Sequence, residues 1–178
     1  MGETVGRFAV ECTGEGALYT LSQEKPGDWW EVEALYDHCF APGRTLLSSY
    51  RLRDDVPPVP ELCRVAHDET GIIGGAIRYW PVRIGRWQAL LLGPVAVHPT
   101  AQGEGLGAAL IRDTVERARA LEWSRVLLVG DEPYYRRFGF VKLDEVVMPP
   151  PTNPERVLGL ELVPGAWDGV AGEVTRSA

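Results

Sequence analysis

Positive charge is in deficit in this sequence: 18 Lys and Arg stand against 25 Asp and Glu, a net charge of −7. A protein that tracks a phosphate backbone needs a basic face, so broad nucleic-acid binding is not expected. The balance favours cationic partners, although a local basic site can still hold an anion. Cysteine is scarce. Cys12, Cys39 and Cys63 are far apart and form no CxxC pair, which argues against a disulfide framework and a zinc knuckle. His38, His67 and His98 are equally scattered, without HExxH spacing, so no metal site is expected. No GxSxG elbow occurs. No apolar run approaches the roughly 20 residues of a membrane span, and Met1 to Val10 lack the apolar stretch of a secretory signal. A soluble cytoplasmic protein without membrane partners is the expectation.

What is present is the composition of an ordinary globular domain, 45% apolar and 24% charged. Residues 1–16 are Gly- and Glu-rich with weak patterning and are expected to form a loosely held arm, with Arg7 to Glu11 as a candidate strand. Residues 17–178 are expected to form one domain. Ala17 to Ser22 alternates as a strand does, and Pro26-Gly27-Asp28 opens a helix with Asp28 as N-cap. Trp29, Val32, Leu35, Tyr36 and Cys39 give that helix one apolar face, and Thr45 to Arg53 reads as a second, short helix. Three strands joined by short turns follow, over Leu62–His67, Ile72–Arg83 and Trp87–Val97, with turns at Asp68–Gly71 and Gly85. A helix is predicted over Gly103–Leu121 and an apolar strand over Val126–Val129. A short helix is expected over Pro133–Phe138, and strands over Phe140–Val147 and Val157–Val163. The unit from 87 to 129 is a strand–helix–strand crossover, so its strands should be parallel. The fold class is α/β with a mixed sheet: an antiparallel meander, one parallel βαβ step, and helices on both faces.

The informative segment is Gly93-Pro94-Val95-Ala96-Val97-His98-Pro99-Thr100-Ala101-Gln102-Gly103-Glu104-Gly105-Leu106-Gly107-Ala108. Three glycines crowd the start of a long periodic helix, although each costs about 1 kcal/mol relative to Ala inside one. Without Cβ atoms they let a ligand approach the backbone, whose first-turn N–H groups are unpaired and lie at the positive end of the helix dipole. This is the chemistry of a phosphate cradle. No Lys follows the glycines as a Walker loop requires. Gly103, Gly105 and Ala108 match GxGxxA, but five residues separate them from the strand and that strand belongs to a meander, unlike a dinucleotide site.

Gln102, Gly105 and Gly107 fit the pattern Gln/Arg-x-x-Gly-x-Gly/Ala, preceded by Val95-Ala-Val-His-Pro. Together with Tyr134-Tyr135-Arg136-Arg137-Phe138-Gly139-Phe140 after the next strand, this resembles the GNAT acetyltransferase superfamily, over about residues 17–163. Val129 to Tyr135 is similar to a bacterial subgroup whose substrates are mostly unassigned. One departure is Leu121-Glu122-Trp123, where a helix-ending glycine is often seen.

The resemblance implies an N-acetyltransferase that uses acetyl-CoA and a small-molecule or peptide amine acceptor. It implies that the strand before the cradle parts from the next strand and that pantetheine lies in the gap. Pro94, which lacks an N–H for the ladder, suits a bulge there. The backbone of Gln102, Gly103, Glu104, Gly105, Leu106, Gly107 and Ala108 would hold the pyrophosphate, and that of Val95, Ala96 and Val97 would meet the pantetheine and thioester. Tyr135, four residues before Gly139, aligns with the general acid that protonates the leaving thiolate. Arg136 and Arg137 either meet the cofactor's ribose phosphate or form a solvated face. No general base stands out, although His98, Asp131 and Glu132 lie near strand ends. The acceptor pocket should draw on residues 28–53, Arg78 and Trp80. A homodimer is the expected assembly, from six tryptophans and an apolar last strand at Val157–Val163. The alternative function is an acyl-CoA-binding sensor or interaction module without turnover.

Overall fold

The computed structural model describes residues 18–41 and 43–177. The expected arm at 1–16, the candidate strand at Arg7 to Glu11, and Cys12 lie outside the described residues. The elements in chain order are β1 (Thr20–Gln23), α1 (Trp29–Cys39), α2 (Ser48–Arg51), β2 (Arg64–His67), β3 (Ile73–Ile84), β4 (Trp87–Val97) and α3 (Leu106–Ala120). They continue with β5 (Arg125–Val129), α4 (Glu132–Tyr135), β6 (Val141–Lys142), β7 (Val146–Val147), β8 (Val157–Glu161) and β9 (Gly172–Arg176).

The sheet runs β1-β2-β3-β4-β5-β8-β6, with β9 paired to the far end of β3 and β7 to β9. The meander β1 to β4 is antiparallel, as its short turns require. Asp68 fixes the β2–β3 turn by accepting from the Thr70 and Ile72 N–H groups at 2.8 and 2.9 Å. β4 and β5 are parallel, as a crossover through α3 demands. A two-residue parallel contact between β7 and β9 is additional.

Strand alternation divides the core between two faces. Leu90 and Leu92 of β4 pack with Leu106, Leu110 and Ile111 of α3. Ala89 and Leu91 face the other way, with Leu52, Leu127 and Met148. Further along that second face Ala96 packs with Val32, Leu35 and Tyr36 of α1. Helices therefore cover both faces.

Several elements differ from the sequence expectation for identifiable reasons. Asp28 makes no side-chain cap to α1; it closes a 3-10 turn ahead of it by accepting from the Lys25 N–H at 2.8 Å. The predicted helix at Thr45–Arg53 is a 3-10 turn followed by one helical turn, and Leu46 and Leu47 are exposed. α3 begins at Leu106, because Gly103 and Gly105 take φ of +85° and +78°. The strand predicted at Phe140–Val147 is interrupted after Lys142, where Leu143 turns its side chain against Gly159. β9 carried no strong signal in the sequence. The strand at Val157–Glu161 is neither the last nor an edge, for it lies between β5 and β6. This removes the edge on which pairing with another subunit was expected. Trp80 is buried, and Trp87, Trp123 and Trp167 pack against the core, whereas Trp29 and Trp30 remain exposed.

Candidate active site

Backbone irregularity in β4 creates the site. Ile77 is opposite Val95, but Tyr79 is opposite Leu92, so β4 spends one extra residue between them, around Gly93 and Pro94. Proline cannot donate to the ladder, and a bulge is where a strand tolerates it. On the other side, β4 pairs with β5 only at Leu90–Val126 and Leu91–Leu127. Beyond Leu91 the two parallel strands part. The buried Tyr36 of α1 donates its hydroxyl to the Pro94 carbonyl at 3.2 Å, which ties the bulge to the helix above it.

Two adjoining cavities follow this gap. The first, about 380 Å³, is lined by Ala101, Gln102, Gly103, Gly105, Leu106, Gly107 and Ala108 with Val97, Tyr134 and Arg137. The second, about 250 Å³, is lined by Val95, Ala96, Val97, Cys39, Phe40, Gln102, Gly107, Tyr134 and Tyr135. The shared residues make one groove that runs from the start of α3 into the β4–β5 gap. Of the run Gln102 to Ala108, Glu104 does not line it.

Local sequence explains the first cavity. A left-handed Gly105 precedes the helix, and the first helical bond runs from the Ala109 N–H to the Gly105 carbonyl. The Leu106, Gly107 and Ala108 N–H groups thus have no intrahelical acceptor. Leu106 and Ala108 bury their side chains and offer backbone alone. A Cβ on Gly103 or Gly105 would meet nothing within 4 Å, whereas one on Gly107 would come within 3.3 Å of the Tyr134 hydroxyl. The cradle is therefore an open, amide-lined surface with Tyr134 as its wall.

The two adjacent arginines separate. Arg137 lies 4.1 Å over the Tyr134 ring at the cleft, whereas Arg136 pairs with Glu132 at 2.7 Å on the exposed side. The adjacent tyrosines separate too. Tyr134 faces the cradle. Tyr135 packs against Phe138 and Phe140, and a Cβ on Gly130 would come within 2.5 Å of its ring. Gly130 was not singled out in the sequence, yet only glycine lets this ring lie so close to the end of β5. Burial pushes the Tyr135 phenol up to about 12, with a further upward contribution from Tyr134 and a downward one from Arg156.

None of the three base candidates lines these cavities. His98 stacks on His38 at 5.3 Å, and its Nδ1 accepts from the Thr100 N–H. Cys39 lies in the groove, its thiol donating to the Val97 carbonyl at 3.3 Å. Burial raises that thiol's pKa, so the group is held as a neutral donor.

A third cavity, about 120 Å³, adjoins the gap from the α1–α2 side and is lined by Phe40, Arg44, Leu47, Ser49, Tyr50, Arg53, Leu91, Leu92, Gly93, Pro94 and Val129. It draws on the 28–53 stretch, and neither Arg78 nor Trp80, the two strand residues named for an acceptor pocket, lines it. Arg78 is engaged by Glu24, at 2.9 and 2.7 Å, and by Glu33. Trp80 lies beneath Arg53, 4.5 Å from its guanidinium carbon. Arg44 joins the same network through Glu33 at 2.6 Å and Asp37 at 2.9 Å. Burial acts to raise the Glu33 carboxyl, but hydrogen bonds from Arg44 and Arg78 hold it below its ordinary range. Among the described residues no group of His, Cys, Asp and Glu is arranged to hold a metal, and no helix is long and apolar enough to cross a membrane.

Comparison with known proteins places this geometry. The acetyltransferase (GNAT) domain model matches residues 60–142, from the approach to β2 through β6. A GNAT family acetyltransferase from Brucella melitensis, solved in complex with acetyl-CoA, superposes with a TM-score of 0.67 at 28% identity, over 90% of this chain and 96% of that one. The GNAT family N-acetyltransferase YhbS from Escherichia coli, solved with CoA, gives a TM-score of 0.79 at 24% identity, over 93% of each chain. Among curated proteins, the uncharacterized N-acetyltransferase YjhQ of Escherichia coli strain K12 is 42% identical over 50 residues, a match spanning 28% of either chain. The matched segment contains the bulged strand, the cradle helix and the tyrosine turn, and it is over this segment that the chain is similar to the GNAT acetyltransferase domain.

Proposed function

We propose that the protein is an N-acyltransferase that moves an acetyl group from acetyl-CoA to an amine. The observation that carries this reading is the continuity of the groove. An amide-lined cradle at the start of α3 leads directly to the place where β4 and β5 part, and Tyr135 lines that place. The Brucella and Escherichia coli structures named above hold acetyl-CoA and CoA, which supports the same donor here.

The amides from Gln102 to Ala108, apart from Glu104, would take the pyrophosphate, with Arg137 adding positive charge at the rim. Pantetheine would extend along Val95 to Val97, where the parted strand leaves backbone groups for it. A neutral amine arriving from the third cavity attacks the thioester carbonyl. Its carbon–nitrogen bond forms as the carbon–sulfur bond breaks, and an N–H of the bulged strand stabilises the transient oxyanion. The sulfur leaves as a thiolate and takes its proton from the Tyr135 hydroxyl, and the proton that the attacking nitrogen sheds on becoming an amide passes to solvent, from which the phenolate is reprotonated. Burial raises the affinity of both phenolate and thiolate for the proton, so the elevated phenol remains matched to its acceptor.

The test is thiol release from acetyl-CoA across an amine panel, alongside calorimetric titration with CoA. Binding and turnover are expected in the wild type. Gly107→Glu, which sets a carboxylate against the pyrophosphate and pushes on Tyr134, should abolish CoA binding while the far-UV spectrum is retained. CoA binding without turnover across a broad panel would favour a sensor or interaction module. Undiminished CoA affinity in Gly107→Glu would reject the cradle.

A further inference from the structure

We infer that the acceptor carries a carboxylate as well as its amine, and that Arg53 is the residue that selects it. This inference rests on the acyltransferase reading. Arg53 lines the third cavity, which adjoins the β4–β5 gap through Gly93, Pro94 and Val129. Its guanidinium carbon lies 3.9 Å from the Tyr50 ring centre and 4.5 Å from that of Trp80. Its side chain also donates a hydrogen bond to Tyr50.

What Arg53 lacks is an anion. Among the described residues no carboxylate lies within ion-pair distance of it, and its buried Nε has no hydrogen-bond partner. The contrast with its neighbours is informative. Arg44, in the same cavity, is neutralised by Glu33 and Asp37, and Arg78 by Glu24 and Glu33. A chain with seven more acids than bases has placed a desolvated cation without a counter-charge beside the reaction gap. Removing a cation from water is costly unless a partner arrives. A guanidinium is a planar fork suited to a carboxylate, and aromatic rings that cover it leave its edge for that contact. The half-exposed Leu47, which lines the cavity, supplies apolar surface beside it, suited to the carbon chain that joins amine and carboxylate.

The experiment compares ω-amino carboxylates of increasing length with the alkylamines of the same length, plus phosphoethanolamine as the phosphate arm, at saturating acetyl-CoA. For the best chain length, kcat/KM should favour the carboxylate over the plain amine by roughly 10- to 100-fold, the worth of a charge-assisted hydrogen bond. Arg53→Gln should collapse that ratio towards one, mainly through KM, and Arg53→Lys should restore part of it. A second measurement avoids dependence on turnover or on the Gln variant folding: calorimetric titration of the CoA-saturated wild type with 4-aminobutyrate and with butylamine should show tighter binding of the former. Equal handling of carboxylate and plain amine in both measurements overturns the inference, as does preference for phosphoethanolamine or a ratio that survives in folded Arg53→Gln. Failure of the wild type to bind CoA would instead overturn the acyltransferase reading.

Discussion

At Tyr135 the chemistry and the packing can be separated by one oxygen atom. Tyr135→Phe keeps the ring against Phe138, Phe140 and Gly130 and deletes only the proton. CoA affinity should hold, while kcat falls by roughly 10²–10⁴, the range for loss of an acid–base group. The phenol is raised to about 12 by burial, so it stays protonated past the point where a free tyrosine ionises. The wild-type rate should therefore persist above pH 10, and its alkaline decline should disappear in the Phe variant. Tyr134→Phe, with its hydroxyl at the cradle, serves as control and should act on KM for the donor. A Tyr135→Phe enzyme that turns over at the wild-type rate would assign the proton to water or another group. These positions were legible in the sequence because cradle and tyrosine turn are each written on consecutive residues. Arg53, Phe40, Tyr36 and Gly130 were not. Their roles arise from tertiary contacts such as Tyr36 with Pro94, 58 positions away.

The end of α3 shows an element solving a backbone problem with an unfavourable residue. Trp123 N–H bonds back to the Ala118 carbonyl at 3.0 Å and Glu122 N–H to Arg119 at 2.9 Å, the pattern of a Schellman cap. The residue in the left-handed position is Glu122, with φ of +64°. The departure noted in the sequence is thus a substitution within an unchanged cap. A side chain there costs about 1–2 kcal/mol, part of which glycine's entropy takes back. Glu122→Gly should stabilise the protein by about 0.5–1 kcal/mol, raising the denaturation midpoint without changing activity. No gain in the midpoint would mean that the Glu side chain makes up the difference. Elements with long periodic patterns, β3, β4 and α3, were legible for the same reason that they are stable: each buries a continuous face. β6, β7 and β9 were not, since two to five residues carry too little alternation and their partners are distant in sequence.

At the scale of the whole molecule, the proposed donor groove and the third cavity meet at β4 and at Phe40, which lines both. The donor groove is bounded by α3 and α4, and the third cavity by the α1–α2 segment. The segment is fastened to the sheet by Arg78, which bridges Glu24 of the stretch after β1 and Glu33 of α1. Arg78 is buried, and Arg78→Met would leave both carboxylates without their shared cation. A loss of about 3–5 kcal/mol is expected, read in a denaturant titration. A loss below about 1 kcal/mol would show that the network is no more than a solvated surface cluster.

The hydroxyl of Tyr36 on the Pro94 carbonyl has a thermodynamic consequence. Tyr36 is flanked by Arg44 and Arg78, 5.6 and 5.2 Å from its ring, on the side of the third cavity, while Pro94 lies in the bulge immediately before Val95, which lines the proposed donor groove. Any ligand that repositions α1 moves the bulge, and any ligand that spreads the bulge presses on α1. The two occupancies are then linked by one coupling free energy, equal in both directions. An acceptor analogue should bind the CoA complex and the free protein with different affinities. CoA affinity should change by the same factor when the analogue is present, and Tyr36→Phe should bring that factor towards one.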